Sequence, residues 1–287
     1  MRRKPVTHLW TPTSRWSSCV YAYLSRDTVG CELQGRELEN RFPASSFVSL
    51  NWFLEGAVDL PAADASGRAR ILPSRLIIGK TGPVTTTSRG DIRYFGVSMY
   101  PDAFTAAFGV SATSLEGEFV DAADVLDADG LAMIDAVAAA ASDTERAERF
   151  EAYLERHAAG FRVSLWTSAL RAGTQLSVDL MARMLARGRR QTIRTTQRAL
   201  GVGVADLRRF ARGTQAFEAM GKKRQKDQPV SLSDIAATSG YADQSHLTRD
   251  AKQVTGRSPA AFLRDFETDE ADWIYRATLE KREPPKR

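Results

Sequence analysis

Cysteine is nearly missing from this sequence. Cys19 and Cys31 are the whole supply in 287 residues. That is too few for a disulfide framework and reads as two free thiols in a cytoplasmic protein. Neither WSSCVYA (16–22) nor TVGCELQ (28–34) sets an arginine or histidine beside its thiol, so neither an activated nucleophile nor an alkyl-accepting cysteine is supported. Histidine is almost as thin. Of the three, only His8 falls in the first 130 residues, while His157 and His246 stand apart from it. A metal site inside a barrel wants about three converging imidazole or carboxylate ligands. No apolar run reaches the roughly 18 residues of a membrane span. The basic start MRRKPVTHLW is followed by no apolar stretch, so a signal peptide is not expected. What is present is 43% hydrophobic and 26% charged, the balance of a soluble globular protein with room for two ordinary domains.

The charge is unevenly placed. Residues 1–160 hold 16 Lys+Arg and 21 Asp+Glu, a net of −5, and residues 161–264 hold 19 against 7, a net of +12. A basic module attached to a mildly acidic one points to a polyanion as the partner of the basic part.

The first half consists of short apolar runs between turn residues. FVSLNWFL (47–54), RLIIG (75–79) and IRYFGVSMY (92–100) predict strands, being rich in aromatic and β-branched residues. PAADASGRAR (61–70) and KTGPVTTTSRG (80–90) read as loops. PDAFTAAFG (101–109) predicts a short helix with proline in its first turn and glycine past its end. Helical periodicity then takes over. Leu131, Ile134, Val137, Ala138 and Ala141 share a face, and Ser142 with Glu145 has capping-box spacing. Residues 131–160 read as a helical connector, which could equally serve as a dimer surface or as a simple cover over the barrel.

The strongest pattern lies near the end. In LSDIAATS (232–239), Leu232, Ile235 and Ala236 line one helical face, Gly240 suits a left-handed stop, and Asp243 can cap a second helix. In that second helix Leu247, Ala251 and Val254 point inward, and Ser245, Thr248, Arg249 and Lys252 point outward. Two short helices around a glycine corner form a helix-turn-helix, whose second helix fits the major groove.

The same residues carry a resemblance. SLSDIAATSGYADQSHLTRDAKQVTGRSPAAF (231–262) resembles the second helix-turn-helix of the AraC-type (AraC/XylS) transcription regulators. The matching features are D-I-A in the first helix, G-Y-x-D-Q-S-H at the corner, T-R-x-x-K in the recognition helix and G-x-S-P after it. The family carries two such units, and an offset of 55 residues pairs Asp234-Ile235 with Asp179-Leu180, Arg249 with Arg194 and Gly256 with Gly201. VADLRRFARGTQAFEAM (204–220), with Leu207, Phe210, Phe217 and Met220 in a stripe, is similar to the family's linker helix. The first unit departs from the pattern, setting Thr192 and Thr196 where bulky apolar residues are usual. In the second unit Ala251 stands where a large aromatic is preferred. FPASSFVSLNWFLEG (42–56) and FGVSMYPDAFTAAFGVSATSLEGEFVDAADVL (95–126) look like the barrel-type sensory domain of one branch of these regulators.

The resemblance implies an α+β chain. A small N-terminal β-barrel or sandwich, sensory or dimer-forming, spans 1–130, and a connector spans 131–160. An all-α DNA-binding domain with two helix-turn-helix units joined by a linker helix spans 161–266, and a C-terminal helix and tail spans 267–287. It implies DNA contact through Arg189, Arg190, Arg194 and Gln197 in the first unit, and through Gln244, Ser245, Thr248, Arg249 and Lys252 in the second. Double-stranded DNA is the expected partner; a small effector, RNA polymerase and a second copy of the chain are partners such regulators can take. No catalytic residue, metal or cofactor is assigned. The competing readings are a metal-dependent cupin-like enzyme, for which the first 130 residues offer only His8 as an imidazole ligand, and a general nucleic-acid packing protein, which explains the charge but not the paired units.

Overall fold

In this computed structural model the described residues are 2–61, 69–158, 160–161 and 204–280. Their N-terminal part is two antiparallel sheets. The first runs β1 (Val6–Trp10), β2 (Val20–Asp27), β9 (Arg93–Met99), β4 (Val48–Glu55), β7 (Arg75–Ile78), β10 (Phe119–Asp121). The second runs β3 (Glu39–Phe42), β8 (Val84–Ser88), β5 (Val58–Leu60), β6 (Arg70–Ile71).

Strand alternation splits the large sheet into two chemically different faces. On β4 and β9, paired with Leu50 opposite Val97 and Trp52 opposite Phe95, these four side chains are buried together. Helices α1 (Pro101–Phe108), α2 (Ala128–Ala138) and α3 (Asp143–His157) close over them, with Phe104, Ile134, Phe150 and Leu154 in the same core. Two polar groups that enter that core find carbonyl partners. The Trp52 indole donates to the Ile134 carbonyl at 3.0 Å, and the Tyr153 hydroxyl to the Ala107 carbonyl at 3.1 Å. The opposite face is more polar. Tyr94 donates to Asn51 Oδ1 at 2.7 Å, and Asn51 donates in turn to the Leu76 carbonyl at 3.1 Å. The Tyr94 ring lies across Gly96, where a Cβ would come within 2.1 Å of the phenol oxygen. Glycine is required there because the space it leaves is already filled by its neighbour.

The expected strands at 47–54, 75–79 and 92–100 are present with ends shifted by about one residue. The expected loop 80–90 is not wholly a loop, because β8 runs through it and pairs with β3, Asn40 opposite Thr86. Gly82-Pro83 and Gly90 bracket a β-branched VTTTS run, and sheet pairing recruits it. The helices at 131–160 cover the large sheet, sharing its core through Phe150, Tyr153 and Leu154. The α3 start is capped as its spacing predicts: Ser142 Oγ accepts the Glu145 N–H at 3.2 Å, and the Glu145 carboxylate accepts the Ala141 N–H at 2.8 Å.

The C-terminal part comprises α4 (Val204–Gln225), α5 (Leu232–Thr238), α6 (Gln244–Thr255), α7 (Pro259–Asp265) and α8 (Trp273–Leu279). Between α7 and α8 the acidic stretch Asp269–Asp272 enters an arginine-lined socket on the sandwich. Asp269 takes Arg41 at 2.9 Å and Arg36 at 2.8 Å, and Glu270 takes Arg26 at 2.5 Å and Arg276 at 2.9 Å. Trp273 follows, donating to Asn40 Oδ1 at 2.9 Å with the Arg26 guanidinium 4.4 Å over its ring. Elsewhere, a cavity of about 390 Å³ lies between the sandwich and helices α4 and α6, lined by Lys80, Thr81, Glu116, Arg209 and Gln253 among others.

Candidate nucleic-acid interface

Helix α5 starts where Ser231 Oγ accepts the Asp234 N–H at 3.2 Å. It buries Ile235 and Ala236. Its exit needs a backbone that few residues adopt, and Gly240 supplies it at φ 74°. Asp243 then caps α6, its carboxylate accepting the His246 N–H at 2.7 Å. After the twelve residues of the helix, Gly256, again left-handed at φ 74°, ends it.

Inside these bounds α6 is sharply two-sided. Leu247, Ala251 and Val254 are buried in a core with Ile235 of α5, Met220 of α4 and Phe262 of α7. The small Ala251 therefore sits where α4, α5 and α7 converge. Helix α4 also comes close at Gly213, where a Cβ would lie 3.4 Å from Val254. On the other arc Gln244, Ser245, Arg249 and Lys252 are exposed, and Thr248 is half-buried. The side chains of Arg249 and Lys252 have no hydrogen-bond or ion-pair partner among the described residues. Thr248 differs, since its hydroxyl donates to the Gln244 carbonyl at 2.8 Å. That leaves Thr248 acceptor capacity and a methyl group for a base edge.

One residue of α6 was not singled out by the sequence. Asp250 is a buried carboxylate, bonded to Arg212 of α4 at 3.0 Å, with Arg209 at 3.6 Å and His246 at 3.8 Å. The Arg212 guanidinium also stands 5.1 Å over Tyr241 at the corner, and burial pushes the Tyr241 phenol up to about 12. These contacts fix α6 to the linker helix. The signal was an acidic residue between Arg249 and Ala251, where neighbouring arginines could be reached only through the fold.

Arg189, Arg190, Arg194 and Gln197, together with Thr192 and Thr196, lie outside the described residues, as do the side chains of Leu207 and Phe210. Among the described residues no cluster of three or more His, Cys, Asp and Glu side chains is close enough to hold a metal. Nor is any helix there long and apolar enough to cross a membrane.

Known proteins give the following likenesses. Residues 181–265 match the model of a family described as a helix-turn-helix domain. No curated protein matches the sequence. Among solved structures, ToxT from Vibrio cholerae O395 is 13% identical with a TM-score of 0.40, covering 79% of this chain and 96% of that one. A P21 crystal form of ToxT from Vibrio cholerae is 10% identical with a TM-score of 0.41, covering 91% and 98%. A fatty-acid-bound ToxT from strain SCE256 is 11% identical with a TM-score of 0.40, covering 92% and 97%. These structural scores are too low to bear on function. The helices, their caps and the family match agree on the C-terminal part, and this chain carries there a helix-turn-helix domain of the AraC type.

Proposed function

We propose that this chain is a sequence-specific, double-stranded-DNA-binding transcription regulator that performs no catalysis. The observation that carries the reading is the α6 surface, where Gln244, Ser245, Arg249 and Lys252 are exposed on the arc opposite a fully buried one. A helix held this way presents donors to base edges and phosphates. Arg249 takes the base-reading role, because its guanidinium can pair with guanine in bidentate fashion. Lys252 reaches a phosphate, and Ser245 and Gln244 lie nearest the helix start, where base edges are met. Arg189, Arg190, Arg194 and Gln197 complete the contact set from the first unit, with the stronger share of phosphate binding.

The division proposed with it makes 1–130 the sensory or dimer-forming part, 131–160 its helical cover and 161–266 the DNA-binding domain. The controlling partner in this reading is a small effector bound to the N-terminal part; the cavity of about 390 Å³ between that part and helices α4 and α6 is of small-ligand size, about 300–1,000 Å³. A packing protein is the competing reading. The test is a binding selection from random DNA at fixed salt, followed by affinity measurement on the enriched site and on scrambled sequence. A regulator gives a ratio of about 10³ or more, and a ratio near unity would sink the proposal.

A further inference from the structure

One carboxylate at the seam belongs to both halves of the molecule. Asp272 is fully buried. Its Oδ1 accepts from Arg41 of β3 at 3.3 Å, and its Oδ2 accepts from Arg257 at 2.5 Å. Arg257 directly follows Gly256, the residue that ends α6. Each arginine has further anchors, Arg41 on both sides of the seam and Arg257 on its own side. Arg41 bonds Asp269 at 2.9 Å and Glu39 at 3.0 Å, and Arg257 bonds Asp265 at 2.7 Å and the Ala261 carbonyl at 2.9 Å. Both are largely buried, at 13% and 14% exposure. Neither can withdraw without stranding a charge in the interior, which is costly. A backbone bond reinforces the join, since the Ala44 N–H of the sandwich donates to the Val254 carbonyl in the last turn of α6 at 2.6 Å. The Gly256 turn faces Pro83, and a Cβ there would stand 3.7 Å from the proline ring.

We propose that Asp272 is a positioning residue for DNA reading, the group through which the sandwich holds the C-terminal end of α6. The proposal rests on the reading of α6 as the recognition helix. A helix end fixed before DNA arrives does not have to be ordered on binding, and that saving appears as affinity. The sandwich therefore contributes to DNA affinity through Arg41, a residue on β3 remote in sequence from the reading surface.

The test uses the full chain as Arg41→Gln, Arg257→Gln, the double variant and Asp272→Asn. Affinity for the selected site is measured at several salt concentrations, well below the melting temperature of every variant. Each single arginine change is expected to weaken binding by about 3–10-fold, and the double change by clearly less than the product of the two, because both arginines hold the Asp272 carboxylate. The slope of log affinity against log salt should match wild type, since positioning releases no counterions. Unchanged affinity, increased affinity, or losses that multiply in the double variant would overturn the proposal. So would a slope lowered by about one unit in Arg257→Gln, the mark of a direct phosphate contact. If Asp272→Asn does not fold, the arginine pair alone decides. If wild type selects no DNA sequence, the regulator reading fails separately. Melting temperatures then decide this one: non-additive losses for the two arginine changes uphold the shared carboxylate, and additive losses refute it.

Discussion

Ala251 and Lys252 are neighbours in the chain that face opposite ways, one buried among four helices and the other exposed. Ala251→Asp puts a carboxylate into an apolar core with no partner and should cost several kcal/mol, about 3 or more. Circular dichroism and melting would show the helix-turn-helix loosened or lost. Lys252→Asp should leave the stability within about 0.5 kcal/mol of wild type and weaken DNA binding. The reverse outcome would mean the register of α6 is wrong. Arg249→Ala should cost about 1–3 kcal/mol on the preferred site and relax selection at one base pair. A uniform loss across all sequences would instead make Arg249 a backbone contact. At the seam, burial pushes the Asp269 carboxyl up. Hydrogen bonds from Arg41 and the Ala271 N–H, with the charges of Arg41 and Arg36, outweigh burial and hold it below its usual value. A folded-state value under the unfolded one, about 3.9, makes the ionised group stabilising at neutral pH, and that contribution is lost as pH falls below about 4. Asp269→Asn should therefore melt below wild type at pH 7, with the gap narrowing as pH falls below about 4.

At the scale of elements, Trp273 heads α8 with its indole bonded to Asn40 and its ring under Arg26. Trp273→Ala removes a buried aromatic anchor on two domains at once and should destabilise by about 3–5 kcal/mol, measurable by chemical denaturation. A loss below about 1 kcal/mol would show the seam to be loosely held. Helix α6 was legible in the sequence because each of its signals is local: Asp243 as cap, Gly240 and Gly256 as left-handed stops, Leu247, Ala251 and Val254 at helical spacing. The strands carrying Trp52, Ile77 and Phe95 were legible for a similar reason, through β-branched and aromatic density. The acidic stretch at 269–272 was not. In the sequence Asp269, Glu270 and Asp272 look like a solvated turn, because their partners Arg26, Arg36 and Arg41 lie more than two hundred residues earlier. Strand β8 was hidden by the glycines and proline around it. Asp250 was hidden because a charge inside a recognition helix has no local reason to be buried.

At the scale of the whole molecule, the positive charge is gathered at residues 161–264, net +12, against −5 in residues 1–160. A fragment of residues 161–287 keeps that charge, so it should bind DNA with a steep salt dependence from counterion release. It also loses every arginine of the socket, leaving Asp269, Asp272 and the Trp273 indole without Arg36, Arg41 and Asn40. Its melting temperature should therefore lie below that of the full chain. A fragment as stable as the full chain would mean that the seam contributes nothing. The same seam sets a timetable for biosynthesis. Arg26 is 2% exposed in the finished protein, and its carboxylate partner Glu270 is made 244 residues later. At about 5–20 residues per second on the ribosome, that sheet waits roughly 12–50 s with a guanidinium facing no counter-ion. The sheet around Arg26 thus completes its surface only once the segment carrying Glu270 has been made.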